Sequence, residues 1–468
     1  MVVETVIAGG HLVTATTVRQ TSIAIDNGII VSIGNEEVLP DARRRIDATG
    51  QLIIPGVVDP HVHIDEVPGN RAGTYESETA AAALGGVTTV LDFAWQGTDR
   101  SIANENSNLY DGIEHKKAKA DQAYVDYGLH GVLHRDDPET LAQIDTAVDA
   151  GVTSFKLFMS TYDVGVNAGF LDRAFRHIAD RNAVAIVHTE EPAVCTAQLD
   201  RLREAGKGDA IHYPDSRPDY AEAMGAAAAL RLADETGVKY YGVHTSCRKA
   251  AEEIERFRRD GSRIRAETCT HYTVLDDSVY EEQGTLPIVA PPIRTDDDRE
   301  AMFDYLEKGT LSVVSTDHVV YHRAFKEVEN WWNSPYGANS VQWSLPLFHQ
   351  EAVVERGYSY PFLVSVMCTN PAETFGLPQK GTLEPGTDAD IVLFDPNESQ
   401  TVTSSRNASN ATFSIYEGRE VTGTVTTTLV RGRVIVDDGE LVGSAGTGSF
   451  VDRDRPQWEK RTTQTATR

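Results

Sequence analysis

The stretch Gly56–Glu66, GVVDPHVHIDE, decides how the chain is read. Leu52, Ile53 and Ile54, then Val57 and Val58, form an apolar and β-branched run that leads into Asp59-Pro60 and delivers His61-Val62-His63. In extended backbone, residues i and i+2 point to the same side. His61 and His63 therefore aim at one point beyond a strand end, as two imidazole ligands of one metal ion require. An HxH pair alone is more often two ordinary histidines on a strand or turn, so the rest of the chain has to supply further ligands.

Outward from that stretch, strand-like apolar runs alternate with Ala- and charge-rich helical runs. The strand candidates are IPGVVDPHVHI, GVTTVLDFA, VDYGLHGVL, TSFKLFMS, AVAIVHTE, VKYYGVHTS, RIRAETCTHY and LSVVSTDH. Helical runs such as ESETAAAALGG, DPETLAQIDTAVDAG and FLDRAFRHIADRN fall between them. This is the rhythm of a parallel (β/α)8 barrel, an α/β fold. Both chain ends read differently, as short strands with turn signals, including Asp26-Asn27-Gly28 at a hairpin and ADIVLFDP and RGRVIVDDGELVG near the C-terminus. The expected organisation is a small β-sandwich built from residues 1–55 and 382–448, a barrel over 56–381, and a tail over 449–468. That tail, rich in Thr, Arg and Gln, reads as disordered or packed on a neighbouring subunit.

Composition narrows the function. The 468 residues carry a formal net charge of -27, which repels phosphate backbones and disfavours a nucleic-acid partner. The acidic surface is either an ordinary solvated exterior or an adaptation to a high-salt cytoplasm. No run of 18 apolar residues is present, which argues against a membrane span, and MVVETVIAGG lacks the basic start of a signal peptide. Cys195, Cys247, Cys269 and Cys368 form no CxxC pair and fit reduced thiols in a cytoplasm.

The strand ends carry the chemistry, because a (β/α)8 barrel places its active site there. The first ends in His61 and His63, the fourth carries Lys156, the fifth ends in His188, the sixth in His244 and the eighth in Asp317. Each has a plain explanation alone: a hydrogen-bonded structural histidine, a snorkelling lysine, an aspartate capping a helix. Together, four imidazoles, a carboxylate and one bridging anion hold two divalent ions, and zinc accepts that mixture. Lys156 fits only if burial favours its neutral amine. The amine then takes up carbon dioxide as a carbamate, an anion able to bridge two cations.

HVH, the lysine of SFKLFMS, VHTEE, GVHTS and STDH match the ligand motifs of the amidohydrolase superfamily, in its binuclear branch with a carboxylated lysine. Within it the chain resembles the cyclic amidases, the dihydropyrimidinase/hydantoinase group and the related allantoinases, as far as about residue 443. GGVTTVLDFA, ETCTHY, APPIR and KGTLEPGTDADIVLFDP belong to the same resemblance. It implies hydrolysis of a small cyclic amide, with His61, His63 and Asp317 on one metal and His188 and His244 on the other. Carboxylated Lys156 and a hydroxide would bridge them, and Asp317 would double as proton shuttle. It also implies a homo-oligomer, tetramer or dimer.

The departures from these relatives fall on the substrate side. Where they carry a tyrosine five residues after the lysine, this chain has Thr161, followed by Tyr162. Their serine before PPLR is Ala290 here, and their PNG asparagine corresponds to Tyr336 in Pro335-Tyr336-Gly337, with Asn339 nearby. The expected substrate contacts are thus Thr161, Tyr162, Ala290, Tyr336 and Asn339. Asp65 stands where dihydroorotases place an arginine that clamps a carboxylate, which disfavours a carboxylated ring. Glu190 and Glu191 either orient ligands or are solvated. His130, His134 and His271 support the ligands or simply pack. A non-catalytic scaffold relative would not need all six ligand positions; an amidohydrolase acting on a different C–N bond stays open.

Overall fold

Gly56 is the hinge between two sheets. The computed structural model describes residues 2–64, 73–97, 108–161, 164–258 and 262–458. After Gly56 the chain enters β1 (Val57–Asp59), the first of eight parallel strands hydrogen-bonded in sequence order. The others are β2 (Val87–Ala94), β3 (Asp126–Val132), β4 (Ser154–Met159), β5 (Val184–Thr189), β6 (Lys239–Gly242), β7 (Ile264–Cys269) and β8 (Val313–Ser315). All eight are buried along their length, as parallel strands covered on both faces must be. The ring closes at its C-terminal rim, where His318–Val319 pairs in parallel with Val62–His63. The closing pair thus lies beside His61, His63 and Asp317.

The outer helices follow from periodicity. Ala168–Asp180 buries Phe170, Leu171, Ala174, Phe175 and Ile178, one stripe of a 3.6-residue repeat, and the Asn167 side chain caps it by accepting the Phe170 N–H. Asp219–Thr236 packs by smallness instead. A Cβ at Gly225 would stand 2.9 Å from the Glu190 nitrogen, so glycine is what lets this helix approach the end of β5.

On the other side of Gly56, Leu52–Pro55 lies in a second sheet, antiparallel to Ile391–Phe394 and parallel to His11–Leu12. Ile7, Ile23, Ile25 and Ile53 from the start of the chain share one core with Ile391, Leu393 and Leu429. The molecule is therefore a (β/α)8 barrel with a small sandwich built from both chain ends. Lys380, buried, joins the two by pairing with Asp126 of β3 and with Asp388 and Asp390. These three carboxylates lie close enough to hold a cation, and the Lys380 ammonium already fills that role.

Residues 449–458, expected within a tail, line the N-terminal ends of the barrel's own strands. Tyr127 and the arm exchange backbone hydrogen bonds through Ser449 and Val451. The Trp458 indole donates to the Thr374 carbonyl and stacks under the Arg265 guanidinium. Arg453, 4% exposed, donates to Ser154 Oγ and to the Leu129 carbonyl. Residues 459–468 lie outside the described residues. Among the described residues, no helix is long and apolar enough to cross a membrane, and all four cysteines are free and buried.

Candidate metal centre

Two sets of ligand atoms meet at the barrel mouth. His61 Nε2 and His63 Nε2 lie 3.2 and 3.1 Å from the same Asp317 Oδ1. Across the mouth, His188 Nδ1 and His244 Nε2 face each other at 2.9 Å. The His61 and His244 rings, 5.4 Å apart, join the two sets. Lys156, 1% exposed, lines the same cavity as the four histidines and Asp317. Its amine sits 5.3 and 5.1 Å from the ring centres of Phe93 and Phe158. Its charge is felt at His61, His188, His244 and Asp317.

The electrostatics leave these imidazoles ready to bind a cation. Burial, then the neighbouring Lys156 and histidine charges, hold His61 well below its ordinary pKa, and His244 follows for the same reasons. Burial also lowers His188, against the opposing pull of Glu190. All three are neutral at neutral pH, and a neutral imidazole offers one lone pair. His188 Nε2 bonds Glu190 Oε2 at 2.7 Å, which turns Nδ1 toward His244. His61 Nδ1 bonds Glu267 Oε1 at 2.5 Å, which turns Nε2 toward Asp317. That His61 Nε2, buried, has no hydrogen-bond partner among the described residues. Lone pairs converging from two directions on a carboxylate and a buried amine are a donor set that fits divalent metal.

The backbone around the ligands is specialised. His244 and Asp317 both have positive φ, 37° and 48°, a conformation that non-glycine residues adopt at a cost of about 1–3 kcal/mol. Asp59 fixes β1 against β8 just before their ligands: it accepts from the His61 N–H, the Thr316 N–H and the Thr316 hydroxyl. Burial raises Asp59 to about 6 against those hydrogen bonds. Asp92 accepts from the Ile64 N–H, Tyr75 Oη and Lys116 Nζ and so holds the segment that follows His63. Phe93 beside it stacks on the His63 ring, 4.7 Å between centroids.

Glu190 is where sequence reasoning left two roles open. It is 1% exposed, orients His188, and pairs with buried Arg217. Burial alone would raise its carboxyl; the Arg217 charge and the His188 hydrogen bond outweigh it and bring it to about 2. Arg217→Met would leave this carboxylate buried without its counter-charge. A loss of about 3–5 kcal/mol in denaturant unfolding is expected, with about 10–100-fold weaker divalent binding at the His188/His244 pair. Unfolding and metal titration that both match the parent would disprove this coupling. Glu191 instead caps the helix Pro192–Glu204.

The cavity above the ligands has a volume of about 210 Å³ and is walled by Trp95, Phe158, Tyr321, Pro335, Tyr336 and Ala290. Of the expected substrate contacts, Ala290 and Tyr336 line it. Thr161 does not: it lies exposed at the rim, accepting from Arg217 Nη2. Asn339 is buried outside the lining, its Oδ1 without a hydrogen-bond partner among the described residues. Tyr162 and Asp65 lie outside the described residues. His130 belongs to the support: Arg453 donates to Ser154, whose hydroxyl meets His130 Nδ1 at 2.5 Å, and His130 Nε2 donates to the Pro60 carbonyl before His61. His134 packs edge-on to Trp95 outside the lining. His271 is buried beside Tyr272, and burial lowers it to about 4 although Asp317 pulls it up.

A barrel mouth that gathers neutral imidazoles, a carboxylate and a buried lysine under a small apolar vault defines a metal-dependent hydrolytic centre. The profile of the Amidohydrolase family matches residues 52–435. A D-hydantoinase of Ralstonia pickettii is 33% identical over 462 residues, covering 96% of this chain and 99% of its own. An allantoinase of Escherichia coli (strain SE11) is 31% identical over 459 residues, covering 96% and 98%. Among solved structures, dihydropyrimidinase from Brevibacillus agri NCHU1002 superposes with a TM-score of 0.92 at 30% identity over 97% of this chain and 99% of its own. The chain belongs to the amidohydrolase family.

Proposed function

We propose that the chain opens a cyclic amide, a hydantoin, dihydropyrimidine or similar ring, by metal-dependent hydrolysis. The observation that carries this reading is the meeting of His61, His63 and Asp317 with His188, His244 and Lys156 at one small cavity. The first three residues would hold one divalent cation, and His188 of β5 with His244, just beyond β6, the other. Zinc suits their nitrogen and oxygen donors best. Lys156 would complete the set as a carbamate: its Nζ would form an N–C bond to carbon dioxide and lose one proton, so that an amine becomes an anionic ligand. Cations held there would supply acidification of a water and polarisation of the scissile carbonyl.

The chain's residues do the rest. Asp317 takes the proton of the attacking water and hands it to the departing ring nitrogen. Burial would raise its carboxyl, but the His63 hydrogen bond and charge, with Lys156 and His271 behind, bring it below the ordinary value. Its conjugate base therefore prevails at neutral pH. Ala290 and Tyr336 face the ring, and Trp95 and Phe158 exclude water. Thr161 serves at the rim through its contact with Arg217. The sandwich segments 1–55 and 382–448 flank the catalytic unit 56–381. The enzyme works as a homo-oligomer, dimer or tetramer, in a reducing cytoplasm.

A panel of hydantoin, dihydrouracil, allantoin and dihydroorotate, followed by ring opening at low and at molar salt, tests the reading. Hydantoin or dihydrouracil is expected to open fastest, and dihydroorotate to be poor. Allantoin is the second candidate because allantoinases stand among the relatives. Failure to open any of the four would remove the cyclic amide and leave the family in place.

A further inference from the structure

Behind the cavity wall lies a lysine that the hydrolytic reading does not use. Lys326 ends the four-residue helix Arg323–Lys326 and is 0% exposed. Its ammonium donates to three backbone carbonyls, Ile288 at 2.7 Å, Pro335 at 2.7 Å and Gly337 at 3.0 Å. Among the described residues it forms no ion pair. An unpaired buried charge is costly, and three carbonyl dipoles are its compensation.

Those three acceptors are not scattered. Ile288 lies two residues before Ala290, and Pro335 and Gly337 flank Tyr336, so one ammonium ties together the two segments that build one wall of the cavity. The Gly337 N–H also donates to the Ile288 carbonyl at 3.0 Å, locking the same two segments from the backbone side. Gly337 has φ 124°, and a Cβ there would stand 2.5 Å from Val319, so the wall is tight and needs glycine at this point. A trans peptide sets its N–H opposite its C=O. Drawing the Pro335 carbonyl back onto Lys326 therefore turns the Tyr336 N–H to the other face of that peptide.

The geometry points to Lys326 as a positioning residue that sets the shape of the substrate-facing wall formed by residues 288–290 and 335–337, and with it the ring the cavity accepts. This rests on the hydrolytic reading above for its substrate but not for its structural content. In the full-length metal-loaded protein, Lys326→Met is expected to raise KM about tenfold or more while kcat falls less than about threefold. Bound divalent ion should stay at the parent's content. Amide hydrogen exchange should speed up over 286–290 and 334–338 and stay slow over 57–63. Lys326→Gln, which keeps two donors, should fall between the two in both readouts. Unchanged KM and unchanged exchange would overturn the inference, as would a parallel loss of metal and kcat with KM unaltered. If neither variant folds, exchange in the parent decides: protection over 334–338 matching the barrel strands upholds the tie, and exchange as fast as the exposed turn 205–207 overturns it. A parent that opens no ring in the panel would sink the hydrolytic reading alone, because the exchange test needs no substrate.

Discussion

Replacing Asp317 by asparagine is expected to cost about 10²–10⁴-fold in kcat, the range that a positioned proton-transfer group supplies. Asparagine is the informative change because it isolates charge from shape. It has the same outline, and it tolerates the left-handed backbone at this position, φ 48°, better than most side chains do. Alanine at that φ would add strain to the loss of the carboxylate. The asparagine variant should keep its fold, because Thr316 still bonds to Asp59 on the neighbouring strand. It should lose the proton acceptor toward which His61 and His63 converge. Steady-state kinetics with metal analysis separates the two contributions. A variant that keeps more than about a tenth of the parental kcat would show that another group moves the proton.

Lys156→Met carries the second large effect, loss of the bound cation pair with a fall in kcat of at least about 10³-fold. Methionine preserves the volume and the contacts to Phe93 and Phe158, and its thioether is welcome beside aromatic rings. Stability should therefore change little while metal content collapses. The complementary experiment uses the unaltered protein. Stripped of metal, it should recover activity on adding divalent ion faster in bicarbonate than in buffer freed of carbon dioxide. Recovery at one rate in both, with metal retained by the methionine variant, would reject the carbamate.

The fold and the metal set were legible from local signals, and the rest of the site was not. His61-Val62-His63, the strand-end histidines and the STDH stretch that ends β8 announce themselves because each sits where an apolar run stops. Glu267 does not: it lies within the β7 run, yet it takes His61 Nδ1, Tyr241 Oη and the His244 N–H. Burial raises it to about 8 against the Tyr241 and His244 hydrogen bonds. Arg217 reaches back to Glu190, and Lys326 ties Ile288 to Pro335 and Gly337; no spacing rule links them to what they hold. Asn339 shows the reverse failure. Nearness to Tyr336 in the chain made it a plausible contact, but the turn through Gly337 buries it away from the cavity lining. The arm at 449–458 misled because the tail as a whole, through the threonines and arginines of 461–468, reads as solvated, whereas Arg453 and Trp458 are buried anchors.

The two-ended sandwich has a consequence for biosynthesis. Ile53 and Ile54 find their sheet partners at Leu393 and Val392, more than 330 residues later in the polypeptide. While a ribosome is still making the barrel, the nascent chain carries an unfinished apolar face with Ile7, Ile23 and Ile25 on it. Long-range pairing of this kind is slow and leaves sticky edges open meanwhile. Chains cut short before residue 391 should therefore accumulate as aggregates and depend on chaperones, even though every ligand of the metal centre has already been translated.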